Sequence, residues 1–200
     1  MLKVTFDLNC IISLEENDAR ASDLRKLIKL HDCGRIILRV PAASASERKP
    51  DDTYARCISE FTSRLVPLGL GDVEILCTIL YLGLGFIGYA YFSGGKLDEL
   101  ERKIQEILFP KLDLEFDDFR KKHPELDDDK AWRRWANKKC DVLGMWSHIW
   151  HHGDIFVTSD ERHFLKQAKK EKLEDIGAGR VFLPKNALSH IKEANNQSAL

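Results

Sequence analysis

A chain of 200 residues, 44% hydrophobic and 32% charged, suits one globular domain with a real core. Its formal net charge of −1 advertises no global basic field, so any nucleic-acid binding has to come from local patches. Cys10, Cys33, Cys57, Cys77 and Cys140 are odd in number and scattered with no CxxC pair, which disfavours a disulfide framework and a thiolate zinc site and fits a reducing cytosol.

The first residues do not read as a signal peptide, because Asp7 interrupts the apolar run and Glu15, Glu16 and Asp18 follow; a cytoplasmic location is expected. Leu2–Phe6 (LKVTF) reads as a short buried strand. Asn17 and Asp18 are placed to cap a helix ending near Leu30, with Leu24, Leu27 and Ile28 on one side and Gly34 as its stop. Arg35–Val40 (RIILRV) is a second strand, closed by Pro41. Strand, helix, strand predicts a parallel pair with a right-handed crossover. The small, polar stretch PAASASERKPDDT leads into a helix expected from Asp52 to Val66.

From Ile75 to Ser93 no residue is charged, and the length approaches the roughly 18 residues of a membrane span. Three glycines, Thr78 and several tyrosines interrupt it, and no basic cluster flanks it, so two buried elements broken near Gly83–Gly88 are expected instead. Lys96–Phe109 is an amphipathic helix ended by Pro110, followed by an acidic stretch that reads as loop. A helix starts at Asp127–Asp129, with Trp132 and Trp135 on one side and Arg133, Arg134, Lys138 and Lys139 mostly elsewhere. A separate helix, Asp141–His152, is closed by Gly153. Strand Ile155–Thr158, basic helix Arg162–Lys172 and strand Arg180–Pro184 complete the alternation. The expected fold is an α/β three-layer domain over residues 1–200, with an insertion around 67–126.

In open parallel sheets, sites form beyond the carboxyl ends of strands. Asp7 follows the first strand and Asp160 a later one; as neighbours they would share an edge. Asp141, read as lying in the first turn of its helix, returns to the same edge: about 16 Å of helix is matched by about 20 Å of strand. Three converging carboxylates raise each other's pKa, and a divalent cation removes that penalty. All-oxygen ligands select Mg²⁺ or Mn²⁺, suited to phosphodiester cleavage. Singly, each acid also has a plain reading as a turn residue, helix cap or helix-start acid.

These segments resemble the PIN-domain nuclease family. VTFDLNCII (residues 4–12) is similar to its opening strand and D-x-N. CDVLGMWSHIWHHGDIFVTSDERHFL (140–165) is similar to its closing Asp, apolar helix, Gly, strand and T-x-D, and VFLP (181–184) to its final strand. The resemblance covers about half the chain. It implies a Rossmann-like (PIN-type) parallel sheet and an acidic quartet holding Mg²⁺ or Mn²⁺. It implies cleavage of single-stranded RNA, often as a toxin; an antitoxin protein and a second copy of the chain are the partner options. Asp7, Asp141 and Asp160 match the first, third and fourth acids. Glu47 takes the second place, with Glu60 as fallback, and Asn9 and Ser159 are candidate orienting residues. The long interval from Glu47 to Asp141, and Gly144 and Met145 in place of small alanines, depart from the family pattern.

Arg162 and Lys166, with Arg134 and Lys138 just before Asp141, are candidates to track RNA phosphates; each alone also reads as part of a solvated helix face. His148 and His152 have the spacing to share a metal, but no glutamate lies between them and they sit at the far helix end, so a structural role is expected. The tryptophans read as core or interface rather than stacking platforms. No Walker loop, GxSxG or Cys–His signature is present. The expected function is a metal-dependent endoribonuclease; the alternative is a catalytically weak module of the same fold that binds RNA or a protein partner.

Overall fold

The computed structural model describes residues 1–47, 55 and 57–197. Its centre is a five-stranded, wholly parallel sheet: β1 (Leu2–Phe6), β2 (Ile36–Pro41), β3 (Glu74–Leu76), β6 (Ile155–Val157) and β7 (Arg180–Phe182). The spatial order is β3-β2-β1-β6-β7. A small separate sheet pairs β4 (Thr78–Ile79) with β5 (Ala90–Tyr91). The arrangement is Rossmann-like, and the chain leaves β1 in one direction and returns through β6 on its other side. That reversal makes the β1/β6 boundary the crevice of the sheet.

Alternation along the strands divides the core. Val4, Phe6, Leu38, Ile155 and Val157 pack on one face with helices α1 (Leu8–Glu16), α2 (Ala21–Asp32), α3 (Ile58–Leu65) and α8 (Pro184–Gln197). Phe156 and Val181 point the other way, against helices α4 (Lys96–Leu108), α6 (Asp128–Trp150) and α7 (Gln167–Leu173). Helix α5 (Phe116–Lys122) packs on α6.

Several expectations are corrected. Asp127 caps the helix that starts the last third, its side chain accepting from Lys130 N–H. That helix does not stop before Asp141: it runs 23 residues without a break as α6, so Asp141 lies mid-helix and gains nothing from a helix N-terminus. No proline interrupts Asp128–Trp150, and Gly144 alone does not break a helix packed on both sides. The acidic stretch after Pro110 contains α5, because Phe119 finds a buried place. Asn17 does not start a helix but ends α1 in the left-handed conformation, with φ of 51°. Arg162–Phe164 form turns, and helix begins only at Gln167. The last strand closes at Phe182, and Pro184 opens α8 rather than belonging to that strand. The helix expected from Asp52 is present over Ile58–Leu65; its proposed start lies outside the described residues.

The uncharged segment breaks into β3, β4 and β5, with turns at Gly83 and Gly88. Only part of it is buried: Leu82, Ile87 and Phe92 are 93%, 99% and 84% exposed. Among the described residues no helix is long and apolar enough to cross a membrane. His148 is a core residue, its Nδ1 2.8 Å from the Thr5 hydroxyl and its Nε2 2.9 Å from the Ala178 carbonyl. Burial pushes its pKa down to about 4, so it is a neutral structural imidazole with both nitrogens engaged.

Candidate metal centre

Asp7 immediately follows β1 and caps α1, its Oδ1 accepting from Leu8 N–H at 2.9 Å. The backbone N–H of Asp7 continues the β1/β6 ladder to the Val157 carbonyl at 3.0 Å. The register therefore sets Asp7 beside Thr158, whose hydroxyl donates to Asp7 Oδ2 at 2.7 Å. Asn9 Nδ2 donates to the same oxygen at 3.0 Å. The carboxylate is buried and fixed by three donors, yet no lysine or arginine pairs with it among the described residues.

Asp160 closes the turn after β6. Its Oδ1 accepts from the backbone N–H groups of Arg162 and His163 at 2.8 and 2.9 Å, and its own N–H donates to Thr158 Oγ1 at 3.0 Å. It is thus a turn-capping aspartate, as the plain reading has it, whose second oxygen takes no part in that cap. That oxygen, Oδ2, lies 2.6 Å from His163 Nδ1. Asp141 approaches from α6. Asp141, Asp160 and His163 each offer one ligand atom, all within 4.8 Å of one another.

Glu47 follows the tight helical turn Ala42–Ala45 that leaves β2. That turn is buried because its side chains are small, which brings β2 and α6 close. Glu47 and Asp7 stand outside the tight three-residue group but act on it through charge. Burial, then the charges of Glu47, Asp7 and Asp160, hold the Asp141 carboxyl well above the usual range. Burial and then Asp7 raise Glu47, with Arg64 opposing. Arg64 is already committed to Glu15, with contacts of 2.6 and 2.7 Å. Asp7 is raised by burial, against its bonds from Thr158, Asn9 and Leu8, with Asp160 adding to the rise. The four acids expected from sequence therefore share one edge and one field. Glu60 stands exposed on the first turn of α3.

Two residues here have no ligand or orienting role in the sequence reading. Thr158 does the orienting work expected of Ser159, whose hydroxyl oxygen is buried without a hydrogen-bond partner among the described residues. The register with Asp7 is the signal that singles out Thr158. His163, three residues after Asp160, is the natural position for a side chain folding back onto a turn-capping aspartate.

The cations divide. Lys138, Arg162 and Lys166 line one groove beside Asp160. Arg134 is exposed and acts on Lys130 of α6 and on Glu125 in the connection before it. Lys139, expected mostly away from the tryptophan side, is fully buried with its Nζ 5.8 Å from the centroid of the Trp135 ring.

The donor set fits a hard divalent ion: carboxylate oxygens dominate, one imidazole accompanies them, and surplus negative charge surrounds them. Neither protein-family models nor curated proteins yield a match to this chain.

Proposed function

We propose that this chain is a divalent-metal-dependent endoribonuclease with a PIN-type arrangement of acids. The observation that carries the reading is the gathering of Asp7, Glu47, Asp141 and Asp160 at the crevice of a parallel sheet, with no lysine or arginine ion-paired to any of them among the described residues. Carboxylates that raise one another's pKa in a partly buried site are poised for an external cation.

Asp141 and Asp160 would hold the ion, with His163 either keeping Asp160 in place or offering its ring nitrogen. Mg²⁺ or Mn²⁺ bound there supplies Lewis acidity toward a phosphodiester oxygen and acidifies water. Asp7, clamped by Thr158, Asn9 and Leu8, presents a fixed acceptor for orienting the attacking water. Glu47, once a bound cation has shifted its buried carboxyl to the carboxylate, would take the proton that this water loses as it attacks phosphorus; the P–O bond breaks and the departing sugar oxygen takes a proton from solvent.

Thermal melting in chelator and in MnCl₂, beside a gel assay on a short single-stranded RNA, tests the reading. Wild type should melt higher with Mn²⁺ and cut the RNA only with metal. Asp160→Asn should lose both responses while keeping its circular dichroism spectrum. Undiminished cutting by that variant would overturn the assignment.

A further inference from the structure

The acidic centre opens on one side into a groove of about 460 Å³. Lys111, Lys138, Arg162, Lys166 and Lys169 line it, and no aspartate or glutamate does. The whole chain carries 31 lysines and arginines against 32 aspartates and glutamates, so five cations without an anion is a marked segregation. Among the described residues none of the five forms an ion pair with a carboxylate.

The cations also converge. Lys138 from α6 and Lys169 from α7 place their Nζ atoms 5.9 and 5.7 Å from the centroid of the same ring, Phe109. Lys169 is further anchored by donating to the Leu108 carbonyl at 2.6 Å. Burial, with Lys166 and Arg162 nearby, holds its pKa below the usual lysine value. Like charges gathered at one spot repel, and a polyanion relieves that repulsion.

The groove is continuous with the centre. His163 lines it and touches Asp160, while Lys138 stands one turn before Asp141 on α6. Its outer lip comes from the segment joining α4 to α5: Phe109, Pro110, Lys111 and Leu112, with Phe119 behind. Beyond Asp160 lies a smaller recess with mixed charge, including Glu16, Asp18 and Arg20, so the cationic approach is one-sided.

We propose that this groove is a track for the phosphates of single-stranded RNA, whose outer wall is supplied by the α4–α5 connection, and that it delivers the strand to the metal centre. The delivery rests on the nuclease reading above; the binding does not. A recess of this size has the volume of a small-molecule cleft. An A-form RNA duplex, with its bases stacked inside a rigid double helix and only a wide, shallow minor groove open to side chains, does not fit inside it.

The test measures fluorescence anisotropy of a labelled 10-nucleotide RNA with the full chain in EDTA, as single strand and as duplex, across a salt series. Wild type should prefer the single strand. Log affinity should fall with log salt at about −0.7 per phosphate contacted, or roughly −3.5 for five contacts. Lys138→Glu with Lys166→Glu should weaken binding at least tenfold and flatten that slope, and Lys111→Glu alone should weaken it several-fold. The Mn²⁺-induced rise in melting temperature should persist in all of them. Equal affinity for wild type and variants, or tighter binding of the duplex, would overturn the track. RNA bound by the groove but never cut in Mn²⁺ sinks the nuclease reading and leaves the track standing. Cutting that is insensitive to charge reversal does the opposite.

Discussion

Helix α6 carries two buried ionic groupings only two residues apart, and they are built on opposite plans. Lys139 is fully buried and balanced: its Nζ pairs with Glu101, lies 3.1 Å from the Leu114 carbonyl and 3.3 Å from Gln105 Oε1, and sits 4.2 Å over the Tyr81 ring. Tyr81 completes the set, its hydroxyl reaching both Glu101 oxygens at 2.9 and 3.0 Å. Asp141 instead faces three more acids and no lysine or arginine partner among the described residues. The first grouping closes inside the fold, whereas the second is left charged toward solvent. Burial of charge alone therefore does not mark a site; failure to cancel it locally does.

The largest effect should come from breaking the balanced group. Lys139→Met leaves Glu101 buried and unpaired and should cost about 3–5 kcal/mol in a urea titration. Adding Glu101→Gln should return much of that loss. If the single variant lost under 1 kcal/mol, the pair would not be anchoring α6.

Thr158→Val removes a donor from buried Asp7 and an acceptor from Asp160 N–H. It should cost roughly 1.5–3 kcal/mol, the range for hydrogen bonds to charged groups. Its Mn²⁺ requirement should also rise, because Asp7 loses the strongest influence holding its pKa down.

The acids should also show in pH dependence. Asp7, Glu47 and Asp141 have pKa values raised in the folded state, so the folded chain holds protons that the unfolded chain releases. In chelator, their contribution is favourable below the ordinary carboxylate range near 4 and is lost as pH climbs through the raised values, by at most about 1.4 kcal/mol per pH unit per proton. Saturating Mn²⁺ should flatten or invert this ramp, since the ion takes the deprotonated form. A ramp indifferent to Mn²⁺ would argue that no ion binds there.

The smallest effect sharpens the contrast most. Asp141→Asn removes one of several repelling charges and should stabilise the metal-free protein by on the order of 1 kcal/mol, or about 2–4 °C in melting temperature. It should abolish the gain from Mn²⁺ at the same time. Mutating Lys139 harms the fold under every condition, whereas mutating Asp141 helps it until metal is added.

Much of this was legible in the residues. Leu2–Phe6 stands where its apolar run places it, and the strand tips carry Asp7 and Asp160 because the paired strands are neighbours. The length argument for Asp141 reached the right edge through the wrong boundary, since helix continues for 13 residues before it. Tertiary packing decided that boundary: Trp135 and Ala136 bury against α4 and α5 and leave no reason to break. Lys139 was misplaced for a related reason. Periodicity assigns a lysine to the outside, and only the long-range partner Glu101 makes an inside position tolerable. The cationic groove was legible only in part: Lys138, Arg162 and Lys166 stand near the acids in the sequence reading, but Lys111 comes from the distant α4–α5 connection and nothing in the sequence joins it to them.

The loop between β4 and β5 gives the molecule a second face whose response to electrolytes has the opposite sign. Leu82 and Ile87 there, with Phe92 just past β5, force water to wet bare hydrocarbon. Sulfate or phosphate at molar strength makes such wetting more unfavourable and drives these tips together, while the same ions screen the lysines of the groove. Precipitation by ammonium sulfate should thus proceed through this end of the protein, and replacing Ile87 with serine should raise the salt needed to bring it out of solution.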